Sequence, residues 1–156
     1  MKYIYLLFLI VLSKTLIAQS KIDSLEALLP SKKGLEKVEL LNELGNAYCH
    51  VSPDKGIDYA QKAYTIALKE NSKKDIAKSL KIIGLNYWLK SELYLALENH
   101  QKSLKIYQEI NDIKGICSLY GNIGIVYKEL SEYENALKYY LKSLEISDKE
   151  GFNIIP

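Results

Sequence analysis

The chain has 156 residues and no arginine; all 21 of its basic side chains are lysine. Without the planar guanidinium fork it lacks the group that reads guanine, phosphate or carboxylate through two parallel hydrogen bonds. With a net charge of only +2 and no basic stripe, no nucleic-acid partner is expected. Proline is scarce, at three residues, and glycine stops at eight, so long helices are permitted over most of the length. The two cysteines, Cys49 and Cys117, do not have the spacing of metal ligands, and the two histidines, His50 and His100, are solitary. There is no glycine-rich phosphate loop, no Gly-x-Ser-x-Gly turn and no His-Glu-x-x-His motif. Catalytic, metal and cofactor sites are therefore not expected. A comfortable membrane span is missing too: the apolar run at 3–12 covers ten residues, where a spanning helix needs about 20.

That short run has a different layout. Lys2 precedes it, and the small residues Ala18 and Ser20 follow, as in a secretory signal peptide over residues 1–20. The alternative is an uncleaved N-terminal anchor extended across 14–17. No cysteine follows the run, so lipidation at a cleaved terminus is not available. Cleavage after Ala18 removes Lys2 and Lys14 and leaves 19 lysines against 19 acids, a neutral chain. The expected location is outside the cytoplasm, periplasmic or membrane-associated, with membrane contact only through this segment if it is retained.

Beyond it the chain repeats itself. "SLKIIGLNYWLKSELYLALENHQKSLKI" (79–106) and "LYGNIGIVYKELSEYENALKYYLKSLEI" (119–146) align with an offset of 40. Gly84 then falls on Gly124, Tyr87 on Tyr127, Ala96 on Ala136 and Ser103 on Ser143. An earlier copy places Gly45 and Tyr48 a further 39 residues upstream, with Gly56, Ala60 and Ala63 at the positions of Ala136, Tyr140 and Ser143. Self-similarity of this period marks a solenoid. Within each copy, punctuation divides two helices: "SKKD" at 72–75 and "SEYE" at 131–134 read as capping boxes, and Ser52-Pro53 as a cap followed by proline at the first helical position. No stretch alternates with strand period. The domain plan is a short N-terminal helix and linker at 21–34, three repeats at about 35–71, 72–110 and 111–150, and a stub at 151–156.

The residues Ile123, Gly124, Tyr127, Ala136, Tyr140 and Ser143, with Ile83, Gly84, Tyr87, Ala96, His100 and Ser103 before them, resemble the tetratricopeptide repeat. The repeats run 39 to 40 residues against the family's usual 34, and no closing proline is present, which resembles the variant in kinesin light chain and bacterial sensory proteins. The resemblance implies an all-α fold, an α-α superhelix of three antiparallel helix pairs. Gly124 and Ala136 would let facing backbones approach, with Tyr127, Tyr140 and Leu144 filling the seam. His100 sits at the aromatic repeat position and reads as packing, His50 as the cationic end of a helix. Most of the 13 tyrosines read as core. Cys49 and Cys117 fall two helices apart and are expected to be free thiols.

By the same resemblance, the first helix of each repeat lines a concave groove. Its positions are Asn42, Asn46 and Cys49; Lys81, Leu85 and Trp88; and Gly121, Ile125 and Lys128, with Asn122 matching an asparagine that related repeats use to hold a peptide backbone. Trp88 is the sharpest member, since tryptophan is a common interface anchor. Of the residues with which chaperone-binding members clamp a C-terminal carboxylate, only Asn46 is matched; Ile82, Ser118 and Asn122 occupy other clamp positions. The function implied is non-catalytic binding of a protein or peptide. The alternative is the N-terminal extracytoplasmic sensor region of a longer bacterial histidine kinase or transcriptional regulator. The last helix, without a cover over Leu137, Leu141, Leu144 and Ile146, is expected to fray or to self-associate.

Overall fold

Four non-glycine residues adopt left-handed backbone conformations at intervals of 20: Asn71 (φ 55°), Ser91 (φ 60°), Asn111 (φ 55°) and Ser131 (φ 62°). Each closes one helix and opens the next. At Ser131, its N–H donates to the Lys128 carbonyl at 3.0 Å and the Glu132 N–H to the Tyr127 carbonyl at 2.9 Å, the paired bonds of a Schellman turn. The same pair of bonds recurs at the other three positions. These turns measure out the architecture.

The computed structural model describes residues 19–151, so all but the last two residues of the proposed leader and all but the first residue of the C-terminal stub lie outside the described residues. Helix α1 covers residues 19–28 and runs into a 3-10 turn, Leu29–Ser31. Six longer helices follow: α2 Gly34–Ala47, α3 Pro53–Lys69, α4 Lys73–Leu89, α5 Leu93–Glu109, α6 Ile113–Glu129 and α7 Tyr133–Glu150. Among the described residues there is no strand. Short connections make α2/α3, α4/α5 and α6/α7 antiparallel pairs, and each pair stacks on the next. The first helices also meet directly, α2 on α4 and, more sparingly, α4 on α6. The all-helical superhelix expected from the repeat is the fold observed.

The repeat glycines earn their places by close approach. A Cβ at Gly84 would meet the His100 ring at 2.6 Å, and one at Gly124 the Tyr140 ring at 2.7 Å. The nearest opposing surface at Gly124 is thus the aromatic face of Tyr140. In the first pair Ala60 replaces the ring, and Gly45 lies against the backbone of Gly56. Asn86 from α4 enters there, donating from Nδ2 to the Gly45 carbonyl (3.1 Å) and to the Ile82 carbonyl (2.9 Å). Repeat serines bond in register: Ser103 Oγ donates to the Ala77 carbonyl (2.6 Å) and Ser143 Oγ to the Cys117 carbonyl (3.0 Å). The core between pairs two and three gathers Leu104, Tyr107, Ile116, Leu119 and Ile123.

Several local expectations are corrected. Ser72 caps α4 through its side chain, which accepts from the Asp75 N–H, and Asp112 caps α6 by accepting from Gly115 N–H at 2.8 Å. Ser131, however, is the left-handed residue ending α6, and Glu132 takes the N-cap of α7, so "SEYE" is not a capping box. Ser52 stands at the N-cap of α3 without a side-chain bond, leaving Pro53 as the start signal. Helix α2 stops at Ala47, so Cys49 and the exposed His50 lie in the turn beyond it. Leu144 does not fill the seam: it is exposed, and Ser143 faces inward instead. The tyrosines divide, with Tyr48 and Tyr107 buried, Tyr94 and Tyr133 exposed, and most others half-buried along the edges.

Helix α1 is pinned to the first pair. Ile22 is fully buried against Leu44 and Tyr48. The Glu26 carboxylate accepts from the Tyr48 hydroxyl at 2.8 Å and the Tyr59 hydroxyl at 2.7 Å, while the two rings stack with centroids 5.5 Å apart. Those donated bonds hold Glu26 below the usual carboxylate range; burial first, then the carboxylate, pushes both phenols up to about 12.

Candidate functional site

The first helices α2, α4 and α6 each expose one stripe between their contacts with the second helices, and the groove positions follow these stripes at spacings of four and three. On α4, Lys81, Leu85 and Trp88 are all half-buried. The Trp88 Nε1 is shielded and has no hydrogen-bond partner among the described residues. On α6, Ile125 and Asn122 are half-buried and Lys128 is exposed. Gly121 faces α7, since a Cβ there would come to 3.8 Å from Ser143 Oγ.

The stripe on α2 departs from expectation. Asn46 is exposed, but Asn42 is fully buried and Cys49 is buried in the turn. Burial raises the Cys49 thiol above its ordinary range, so it is a filler in the reduced state rather than a groove residue. Both cysteines are free. Neither Oδ1 nor Nδ2 of Asn42 has a partner among the described residues.

Asn42 lies at a cleft of about 240 Å³ between α2 and α4, lined also by Glu43, Asn46, Lys78, Lys81 and Ile82. Burial, and after it the neighbouring Lys78 charge, lowers the Lys81 ammonium below the lysine range, with Asp112 working the other way. Lys78 was outside the expected groove set; its place three residues before Lys81, on one helical face, is the signal that finds it. A larger cleft of about 630 Å³ lies on the first pair, where Lys37 and Leu41 of α2 meet Asp58, Lys62 and Ile66 of α3. It is separate from the row formed by the first helices.

His100 is 1% exposed under Gly84, which bears out packing; burial lowers its pKa to about 4. Among the described residues no group of three or more His, Cys, Asp or Glu is placed to hold a metal ion. No described helix is long and apolar enough to cross a membrane.

The family description "Tetratricopeptide repeat" matches residues 75–149, which span α4 to α7. A curated relative, response regulator aspartate phosphatase I of Bacillus subtilis (strain 168), is 30% identical over 141 residues, 89% of this chain. The chain spans only 34% of that relative's length. Among solved structures, the apo form of RapI is 27% identical with a TM-score of 0.74, over 87% of this chain and 40% of that one. A Rap protein complexed with competence and sporulation factor is 22% identical with a TM-score of 0.79, over 89% and 41% respectively. In that one the likeness is of fold. Repeat register, helical stacking and sequence match agree, and residues 75–149 belong to the tetratricopeptide-repeat family.

Proposed function

We propose that the chain is a non-catalytic scaffold that holds an extended peptide or protein segment along α2, α4 and α6. Trp88 carries the reading. It is the chain's only tryptophan, half-buried in the middle of the row, with a shielded indole N–H that has no acceptor among the described residues. An aromatic one turn beyond the apolar Leu85 on α4 is the kind of anchor on which interfaces concentrate their energy. A Rap protein of the same fold forms a complex with competence and sporulation factor, so this architecture accommodates a guest. The scaffold works outside the cytoplasm in this reading, supported by Lys2 and the apolar run at 3–12.

A second reading, as the extracytoplasmic sensor region of a longer signalling protein, is favoured by one observation: the chain matches about a third (34%) of a relative named for response regulators. In either case the scaffold contributes recognition, and any chemistry belongs to what it recruits.

The test uses Trp88 as its own reporter. Titration of the full chain with a library of extended peptides should shift its emission. Trp88→Ala should weaken binding of the selected peptides by about 2 kcal/mol or more, with little change in melting temperature. A large loss of melting temperature with unchanged affinity would assign Trp88 to the core and end this reading. Fractionation of cells producing the chain, with N-terminal sequencing, tests export: a cytoplasmic, uncleaved product contradicts it.

A further inference from the structure

The cleft between α2 and α4 contains polar groups that do not satisfy one another. Asn42 is wholly buried with both amide atoms unpaired among the described residues. A buried polar group left so costs about 1–3 kcal/mol, and such groups usually have a reason. Opposite it, Lys78 and Lys81 make no salt bridge or hydrogen bond among the described residues, whereas Lys32, Lys73, Lys90 and Lys102 all have carboxylate partners. The two unpaired ammonium groups stand one helical turn apart and repel each other, and Lys81 is partly desolvated as well. An incoming anion relieves all three costs together.

We propose that this cleft takes the carboxylate of an Asp or Glu side chain of the bound peptide, held between Lys78 and Lys81, which part to let it reach the Nδ2 of the covered Asn42. The proposal rests on the peptide-binding reading and names the chemistry of its ligand. Size fits: at about 240 Å³ the cleft falls below the ~300–1,000 Å³ of ordinary small-molecule pockets and suits one side chain. Charge fits as well. Among the lining residues two lysines stand against one acid, Glu43, and Asp112 beyond the lining also attracts Lys81, a balance that suits a singly charged carboxylate better than a phosphate carrying nearly two negative charges. Asn46, exposed beside it, is free to meet the peptide backbone flanking that side chain.

The experiment follows the side-chain signals of Lys78, Lys81 and Asn42 by NMR in the full-length chain. Four probes are compared: N-acetyl-glutamate N-methylamide, its glutamine counterpart, N-acetyl-alanine with a free terminal carboxylate, and inorganic phosphate. The glutamate probe should give a saturable shift confined to these residues, and the glutamine probe none. Lys81→Gln and Asn42→Leu should each weaken the glutamate probe by about tenfold or more, in line with the loss of one member of a desolvated charged contact. Asn42→Leu should also raise the melting temperature of the free chain, because it removes an unpaired buried amide; a merely structural asparagine would lower it. An equal response to the glutamine probe, a preference for phosphate or for the terminal carboxylate, or a lowered melting temperature with unaltered binding overturns the assignment. The peptide titration at Trp88 separates the two failures. Peptides that shift its emission regardless of acidic residues leave the scaffold standing and remove the acid pocket, whereas no shift with any peptide removes both.

Discussion

A methyl group added at Gly124 would lie 2.7 Å from two ring carbons of Tyr140, whereas one at Gly121, a turn earlier, would find nothing nearer than Ser143 Oγ at 3.8 Å. Both glycines sit inside α6, where replacing glycine by alanine gains about 1 kcal/mol if space allows. At Gly124 the ring must move, and overpacking typically costs about 1–3 kcal/mol. Gly124→Ala should therefore destabilise the fold, and Gly121→Ala should stabilise it by up to about 1 kcal/mol. Urea denaturation of the two variants measures the contrast, and equal effects would show that Tyr140 is not what the repeat glycine accommodates. His100, beneath Gly84, adds a pH dependence. Its pKa falls to about 4 in the folded chain from an ordinary 6.5 because burial disfavours the charged ring and Lys81 adds repulsion. A histidine buried neutral must be protonated at a cost, so its contribution to stability is complete above pH 6.5 and declines as the pH falls towards 4. The loss is on the order of 3 kcal/mol. Melting temperature against pH should show this limb in the parent and lose it in His100→Phe, which keeps an aromatic ring over the glycine.

The turns act at the next scale. Left-handed backbone is tolerated by Asn71 and Asn111 more readily than by Ser91 and Ser131, because asparagine's short amide bonds locally. Ser131→Gly keeps both Schellman bonds and removes the Cβ clash, so it should raise stability by about 0.5–1 kcal/mol. Thermal denaturation decides, and a fall would mean that the Ser131 hydroxyl contributes something the turn geometry does not explain. Here the reach of sequence reading is clearest. The pairing of helices was legible because Gly84 and Gly124 recur with their tyrosines in register, and Ser72 with Asp75 announced a helix start within four residues of chain. Ser131 misled because a serine three residues before an acid fits both a cap and the residue before one. The burial of Asn42 and the entry of Asn86 between Gly45 and Gly56 depend on how α4 leans against α2, a contact across about 40 residues that no local period records. The row of groove positions was legible as a helical stripe; which of its members stay open was not.

At the scale of the molecule, α7 differs from every other long helix in having no successor among the described residues. Leu137, Leu141 and Leu144 are 59%, 56% and 52% exposed, with Tyr133 at 65% on the same side. Ile146, by contrast, packs against the core between pairs two and three. An apolar face of this kind favours association. We expect the full chain to self-associate at high concentration through α7, and Leu141→Lys to return it to monomer. Sedimentation of the two proteins is the measurement; identical sedimentation, or association that survives the lysine, would place the contact elsewhere. The opposite end of the stack is closed by α1, with Ile22 inside and Glu26 between two tyrosines.

That closure limits what assembly can become. Among the described residues the α1 end carries no comparable row of leucines along one helix, so association through α7 would be face to face about a two-fold axis rather than end to other end. Such a pair would stop at two copies. It would also carry two grooves related by that axis, so a ligand presenting its recognised segment twice would be held bivalently, its second contact made at the high local concentration set by the first.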